Sequence, residues 1–557
     1  MPTCLWNRTP DVKLRYALLV AALPLACGQD RWHYGDVRRM ILREELYTHH
    51  DLARKLGTCL KEGTNTGESH LRVDSFVIEG EPRKVIFAHP PLRLIFPVYV
   101  RKSERLVTGA ALHPGCWDKE GDGVRFVVKV RTAGGQEDVL GSVYVDPKHR
   151  GGDRRWHDLS FDLSRYDGGI VGVVLETTYG SSGDGSFDWA GWVEPLVVSP
   201  DPPPQPPSII LVTVGGLRAD QLGCYGTTEL PTSGIDLFAA GGFVFHQAYA
   251  TSDNQIRALT GLLTCRLDPH LDEELRPGVG PETIAEAAAA SGYRTAAFIA
   301  SRTVADNLGA LTRGFQLIEE PTDKTWKASE LTSKVIQWMA SNVGKRFLIW
   351  LHYADLEFDA RAGISTERAL DAYPGLLSDV DSEFQRLLQA LTAAGLDNSV
   401  IVALCSDSPR YLGEDVPGEL SRSLYAHSMK IPLVLRYPQL WRGGQHLSCL
   451  VQSTDVSATL ADITDMTLHI ADGKSLVGIL SNLASMVRDE VRGSTTAERM
   501  AMSSQWLYIE KRGKRGSSVS GQELYSLRAD SGQATSVAAD HPEIVREMSD
   551  SVQEVPW

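Results

Sequence analysis

Ser208-Ile209-Ile210-Leu211-Val212-Thr213-Val214-Gly215-Gly216-Leu217-Arg218-Ala219-Asp220 opens with an unbroken apolar and β-branched run and then stops at a glycine pair. A strand with one wet face alternates apolar and polar residues. A continuous run such as Ile209 to Val214 is expected where both faces are buried, as in a parallel sheet covered by helices. The sequence after it keeps that grammar. An Ala-rich helix is expected from Pro281 to Ser291, a strand from Thr295 to Ala300 and another from Phe347 to Leu351. A helix follows from about Ser378 to Ala394, with Val380, Phe384, Leu387, Leu388 and Leu391 on one side, and a strand from Val400 to Leu404. Strands alternating with helices predict an α/β domain with a mainly parallel sheet, and ligands in such sheets bind beyond the carboxyl ends of the strands.

Immediately before the run lies Asp201-Pro202-Pro203-Pro204-Gln205-Pro206-Pro207. Each proline lacks a backbone donor, so this segment continues neither a helix nor a central strand and reads as a stiff spacer between domains. Upstream, from about residue 75 to 200, short apolar runs such as Val124 to Val130 and Ile170 to Leu175 recur between Gly and Asp turns. That spacing predicts a β-sandwich. Phe187-Asp188-Trp189-Ala190-Gly191-Trp192 resembles part of the jelly-roll modules that bind carbohydrate, and Trp189 and Trp192 are either sugar-stacking or core residues. Residues 28–74 read as a helical or linker segment, residues 201–207 as the linker and residues 208–557 as one α/β unit.

The 557 residues carry 56 Lys and Arg against 70 Asp and Glu, a formal charge of −14. That balance argues against a general nucleic-acid binder, which needs a basic face for phosphates. No apolar run reaches the roughly 18 residues of a spanning helix. At the start, Arg8, Lys13 and Arg15 precede the apolar stretch Tyr16 to Ala26, and small residues follow at Ala26, Cys27 and Gly28. This is the pattern of an export signal over residues 1–27. Leu23-Pro24-Leu25-Ala26-Cys27 further resembles a bacterial lipoprotein signal, which implies lipidation of Cys27 and a location in the cell envelope. A lipid there is the most membrane attachment the sequence suggests. The remaining cysteines show no metal-ligand spacing, and Cys224 and Cys405 read as buried free thiols.

The α/β unit carries a family resemblance as well. Val212-Thr213-Val214-Gly215-Gly216-Leu217-Arg218-Ala219-Asp220-Gln221-Leu222-Gly223-Cys224-Tyr225-Gly226 is similar to the opening signature of sulfatases of the alkaline phosphatase superfamily. The similarity continues in order through Phe243 to Ala250, Gly292 to Phe298, Leu351-His352-Tyr353, Ser406-Asp407 and Ile431 to Arg436. Glu523-Leu524-Tyr525-Ser526-Leu527 resembles the family's small C-terminal subdomain. The resemblance implies a sulfatase-like, mostly parallel sheet with helices on both faces.

Fold does not carry chemistry with it. Hydrolysis of a sulfate ester needs a cation held by carboxylates, an activated nucleophile and positive groups around the ester oxygens. Where the family places metal-binding aspartates at the end of its first strand, this chain has Gly215 and Gly216. The nucleophile position falls on Gln255, or on Asp253 if two residues are deleted, and Arg257 then takes the place of the family arginine. Glu357 stands where a His is usual. Asp407 remains as a metal-site carboxylate, but Ser408 replaces the partner ligand beside it. Arg422 takes the place of a Lys or His that touches the substrate's anionic oxygens. His352 reads as a structural histidine.

One surviving carboxylate does not make a Ca²⁺ site of six to eight oxygens. The expectation is therefore an exported sulfatase-like protein without a resident cofactor that binds a glycan or small anion rather than turning one over. An active sulfuric- or phosphoric-ester hydrolase with an altered site, with Ca²⁺ as its metal, is the alternative.

Overall fold

The computed structural model describes residues 38–557, apart from 42, 44, 229–231, 268–280, 308, 358–365, 410–423, 470–471, 514–518, 554 and 556–557. Residues 1–27, expected to be an export signal ending at Cys27, and Arg422 lie outside the described residues. No helix among the described residues is long and apolar enough to cross a membrane.

The N-terminal part is all β. One antiparallel sheet holds β3 (Leu71–Ile78), β4 (Glu81–Ala88), β11 (Ala190–Ser199), β6 (Arg105–Leu112) and β9 (His157–Asp162) in that order, with β1 (Tyr47–Asp51) added along β11. The facing sheet runs β2 (Leu60–Gly63), β5 (Leu92–Tyr99), β10 (Ile170–Tyr179), β7 (Val124–Arg131) and β8 (Glu137–Val145). The sandwich thus begins at Tyr47, well before the expected residue 75. The early strands carry a weak sequence signal, as in β2, a four-residue edge strand, Leu-Lys-Glu-Gly. An edge strand that leaves many side chains in water carries little apolar signal. Trp192 is buried in the sandwich core with its ring edge-on to Phe126, 5.1 Å between centroids, so it is a core residue. Trp189 is half-buried against His113 and the more exposed Phe187.

The proline segment is tied at both ends. His49 Nε2 bonds the carbonyl of Asp201 at 2.8 Å, and the Tyr293 hydroxyl donates to the carbonyl of Pro207 at 2.9 Å. A buried ion pair also crosses between the two parts: Lys55 Nζ lies 2.8 Å from Asp462 Oδ1 and 3.5 Å from Asp465.

The second part is the expected α/β unit. Its eight-stranded sheet runs β15 (Leu317–Glu319), β14 (Arg294–Ile299), β16 (Phe347–Tyr353), β12 (Ser208–Gly216), β17 (Val400–Pro409), β18 (Leu433–Arg436), β13 (Phe243–Tyr249) and β19 (Gln445–Gln452). The first five are mutually parallel, and β18 runs against both β17 and β13. Alternate residues of the central strands feed opposite cores. Ile209, Leu211, Trp350, Ile401 and Ala403 pack on one side, and Ile210, Val212, Ile349, Leu351 and Val402 on the other. This two-sided burial is why the run contains no polar alternation.

The Ala-rich helix is Ile284–Ala290, started by a capping box between Thr283 and Glu286. The helix expected from Ser378 begins earlier, at Thr366, and runs to Ala393 with Pro374 inside it. A proline within a helical pattern normally signals an end, so the sequence pattern marks only the turns after it. Four antiparallel strands, β20 (Glu490–Ser494), β21 (Glu498–Ser503), β22 (Trp506–Arg512) and β23 (Val519–Ser526), form the C-terminal subdomain with the helix Pro542–Val552.

Candidate functional site

The carboxyl ends of β16, β12 and β17 lie side by side at the middle of the sheet, with Thr213 level with His352 on one neighbour and Cys405 on the other. Thr213 is the polar residue of an otherwise apolar run. Its hydroxyl accepts from Trp350 Nε1 at 3.0 Å and shares a 2.8 Å hydrogen bond with His352 Nδ1. That contact fixes the imidazole with its other nitrogen pointing out of the strand end, 2.9 Å from Glu357 Oε1.

Glu357 reaches this position through a tight turn after β16, closed by its own N–H on the carbonyl of Ala354. Its second oxygen accepts from the Ser301 hydroxyl at 2.6 Å. The carboxylate rests against Gly215, where a Cβ would lie 2.7 Å from both Glu357 Cγ and Cδ. Gly215 therefore leaves open the space that Glu357 fills.

Gln255 is the first residue of the helix Gln255–Thr264, whose N-cap Asn254 accepts from the Arg257 N–H at 3.2 Å. From that helix start its side-chain amide donates to Glu357 Oε1 at 2.6 Å and to Asp407 Oδ2 at 2.7 Å. Two carboxylates facing one amide require its NH₂ end, because the carbonyl end has nothing to donate. Asp407 is buried, and its other oxygen accepts from the Ser408 N–H.

Burial first, then the charge of Glu357, pushes the Asp407 carboxyl up to about 6, against the pull of His352, Gln255 and the Ser408 N–H. Burial acts on His352 in the opposite sense and lowers it. The hydrogen bond and charge of Glu357, with the charge of Asp407, outweigh burial and leave the imidazole above its ordinary value.

The structure thus brings together Gly215, Gln255, Glu357 and Asp407, and adds His352, Ser301 and Thr213. His352, read as a structural histidine, is buried with both ring nitrogens hydrogen-bonded, one of them to Glu357. The sequence signals for the additions were faint: a lone threonine in an apolar strand, and a His followed five residues later by a Glu. Ser408 contributes its backbone N–H and a long hydroxyl approach of 3.5 Å to Asp407. Arg257 is buried on the same helix as Gln255, and its Nη1 has no hydrogen-bond partner among the described residues. Asp253 lies close enough to Glu498 to add to the rise of that carboxyl, which burial causes first. Gln255, not Asp253, occupies the space between the two carboxylates.

Ligand atoms of His352, Glu357 and Asp407 all lie within 4.8 Å of one another, so they could share one ion. They do not suit the Ca²⁺ expected of an active site. That ion takes six to eight oxygens, whereas this set offers two carboxylates and an imidazole, with an amide NH₂ directed into the middle. Gly215 and Gly216 supply no side-chain ligand.

A fold of this topology, with these residues at the strand ends, has a counterpart in sequence: the sulfatase family model matches residues 207–466. Residues 207–466 are a sulfatase-family domain. The chain is 39% identical over 127 residues to an uncharacterized protein of Archaeoglobus fulgidus, covering 22% of this chain and 32% of that one. The inner membrane protein YejM of Salmonella typhi matches at 23% over 261 residues, 45% of this chain and 41% of YejM. The chain therefore spans less than half the length of these curated relatives. Among solved structures, the phosphonate monoester hydrolase of Agrobacterium radiobacter superposes with a TM-score of 0.52 at 15% identity, covering 63% of this chain and 95% of that enzyme. A Bacteroides thetaiotaomicron structure from a study of glycosaminoglycan metabolism gives 0.51 at 18%, covering 63% and 99%. At such identities the likeness is one of fold.

Proposed function

We propose that this is an exported, envelope-located protein whose sulfatase domain holds a glycan or small anion without hydrolysing it. The observation that carries the reading is the position of Gln255. Its amide bridges Glu357 and Asp407 at 2.6 and 2.7 Å, where hydrolysis would require a cation and a nucleophile. An amide supplies neither. The bridge and the glycine pair support each other, because the carboxylate that Gln255 holds is the one that Gly215 admits.

Anion binding is supported by Arg257, whose buried guanidinium keeps one nitrogen unpartnered among the described residues. The glycan class is supported by the names of structural neighbours, one of them in complex with D-glucosamine-2-N,6-O-disulfate at a TM-score of 0.51 and 15% identity. Envelope location rests on the basic start and apolar stretch of residues 8–26, and fits the inner-membrane location of YejM. Mass spectrometry of the mature N-terminus from the native host tests it: a new N-terminus at or near Cys27 is expected, with a lipid mass lost in Cys27→Ala, and an intact Met1 contradicts export.

The assay for the sulfatase domain is turnover of aryl sulfates and aryl phosphates beside binding of sulfated oligosaccharides. Background turnover, with binding weakened by Arg257→Ala, is the expected result. One specific observation favours a second reading, an altered hydrolase: the grouping of His352, Glu357 and Asp407 around a single ion-sized space. Turnover that needs added metal and disappears in Asp407→Ala would establish that reading and end the first.

A further inference from the structure

The β-sandwich holds a carboxylate that its surroundings leave without a counter-charge. Asp188 follows Phe187 at the end of the loop between β10 and β11, and its residue is only 1% exposed. Its Oδ2 is buried with no hydrogen-bond partner among the described residues. The loop leading into β7 brings up Asp122, whose Oδ1 is also buried and unpartnered among the described residues, while its Oδ2 accepts from the Ser182 N–H. Every influence on Asp188 opposes its ionisation: burial first, then the charges of Asp122 and Asp184, which together push it up to about 8. Asp184 itself is committed to the Ser186 N–H at 2.9 Å.

Glycines let these groups approach the backbone closely. A Cβ at Gly121 would lie 2.8 Å from the carbonyl oxygen of Ser186 and 3.9 Å from Asp188 Oδ1. A Cβ at Gly180 would lie 2.5 Å from both Asp122 Cγ and Oδ1. The Ser186 carbonyl and Asp188 Oδ1 thus lie about Gly121, next in the chain to Asp122, whose charge acts on Asp188. An isolated buried carboxylate is costly, and a second one beside it raises the cost, unless a cation or a proton neutralises them.

We propose that Asp188 and Asp122, with the Ser186 carbonyl, bind a hard divalent cation of the Ca²⁺ class that joins the 119–123 and 180–188 loops of the sandwich. Oxygen-only donors of this kind select Ca²⁺ over softer metals, and water completes the coordination. The site is separate from the cluster at Asp407 and does not depend on the function proposed for the sulfatase domain. It lies beside the half-buried Trp189 and exposed Phe187, so the cation would also set the conformation of the loop that carries them.

The test is calorimetric titration of Ca²⁺ into the full chain after EDTA treatment, with Tb³⁺ luminescence sensitised by tryptophan as a second readout. Wild-type protein is expected to bind one Ca²⁺ per chain and to melt roughly 5 °C higher when saturated. Asp188→Asn and Asp122→Asn should each weaken binding by about tenfold or more and remove the thermal shift, while Asp407→Asn retains both. Asp188→Asn is nearly isosteric and, like the protonated acid, uncharged, so in EDTA it should melt close to wild type, which separates loss of the site from loss of the fold. If wild-type protein neither binds Ca²⁺ nor shifts, or if Asp188→Asn binds as tightly as wild type, Asp188 is a neutral buried acid and the proposal is wrong.

Discussion

Gly215 and Glu357 occupy complementary space: a Cβ on Gly215 would lie 2.7 Å from Glu357 Cγ and Cδ, so the glycine is a condition for the carboxylate's position. Gly215→Ala should push Glu357 out of its bonds to Gln255, Ser301 and His352 and cost about 2–4 kcal/mol, as overpacking with broken buried hydrogen bonds does. Glu357→Ala in the same chain removes the clash. The double variant should then cost less than the sum of the single changes, read as a coupling energy from denaturant unfolding. Additive costs would show that the two residues do not share space.

Gln255 is the bridge between two carboxylates, so its charge state and length both matter. Gln255→Ala leaves Glu357 and Asp407 facing each other without the donor and should cost about 2 kcal/mol or more. Gln255→Glu adds a third carboxylate and should cost more still at neutral pH. Added divalent cation should reverse part of the loss in Gln255→Glu, because the replacement supplies an oxygen where the amide supplied N–H groups. Thermal melts of the variants with and without metal decide this, and a Gln255→Glu protein as stable as wild type in EDTA would contradict the bridging role.

Asp407 makes a prediction about pH. Burial and the nearby Glu357 raise its folded pKa to about 6, against an ordinary value of 3.8. The folded state therefore holds this proton more tightly than the unfolded state, and stability falls as pH rises between those values. A shift of that size corresponds to about 2–3 kcal/mol once the group is fully ionised. His352, also raised, acts in the same direction but above its ordinary 6.5: its contribution is present below that value and fades as pH rises through the folded pKa. Asp407→Asn should flatten the stability profile between about pH 4 and 6 relative to wild type. Parallel profiles for the two proteins would refute the assignment.

The α/β architecture was legible because burial on both faces writes itself into the sequence, as at Ile209 to Val214, and because the Ala-rich helix carries its own capping box. Gly215 and Gly216 could be placed at the end of the first strand from the glycine pair that stops the run, whereas the sequence left Gln255 and Asp253 as alternatives for one position. What surrounds them was not legible. Glu357 read as a substituted histidine, and nothing in its neighbours shows that a turn after β16 folds it onto Gly215. The bridge from Gln255 spans 102 residues to Glu357 and 152 to Asp407, and such pairings become visible only when the sheet places three strand ends together. The early strands of the sandwich were hidden by edge position, and Asp188 by its place in a motif whose tryptophans drew the reading.

Lys55 joins the sandwich to the sulfatase domain and predicts how the two parts separate. Its ammonium lies 2.8 Å from Asp462 Oδ1 and 3.0 Å from the Asp462 carbonyl, with side chains only 10% and 3% exposed. Burial alone would lower its pKa, and the charges of Asp462 and Asp465 more than offset that. Asp462 is further held by the Ser475 hydroxyl at 2.6 Å, so removing Lys55 leaves a buried carboxylate with one neutral donor in place of a cation. Lys55→Met should therefore cost about 3 kcal/mol, the usual penalty for breaking a buried pair from one side. Lys55→Met with Asp462→Leu should recover much of it, since an apolar pair of similar volume avoids the stranded charge. Proteolysis within 201–207 supplies the second measurement. After cleavage of wild-type protein the fragments should co-elute on gel filtration, held by this pair and by the packing of Leu60 on Gly478, where a Cβ would lie 2.9 Å from Leu60 Cδ1. The cut Lys55→Met protein should separate at lower denaturant than the cut wild type. Fragments that separate at once in wild type would mean that the linker alone holds the two parts together.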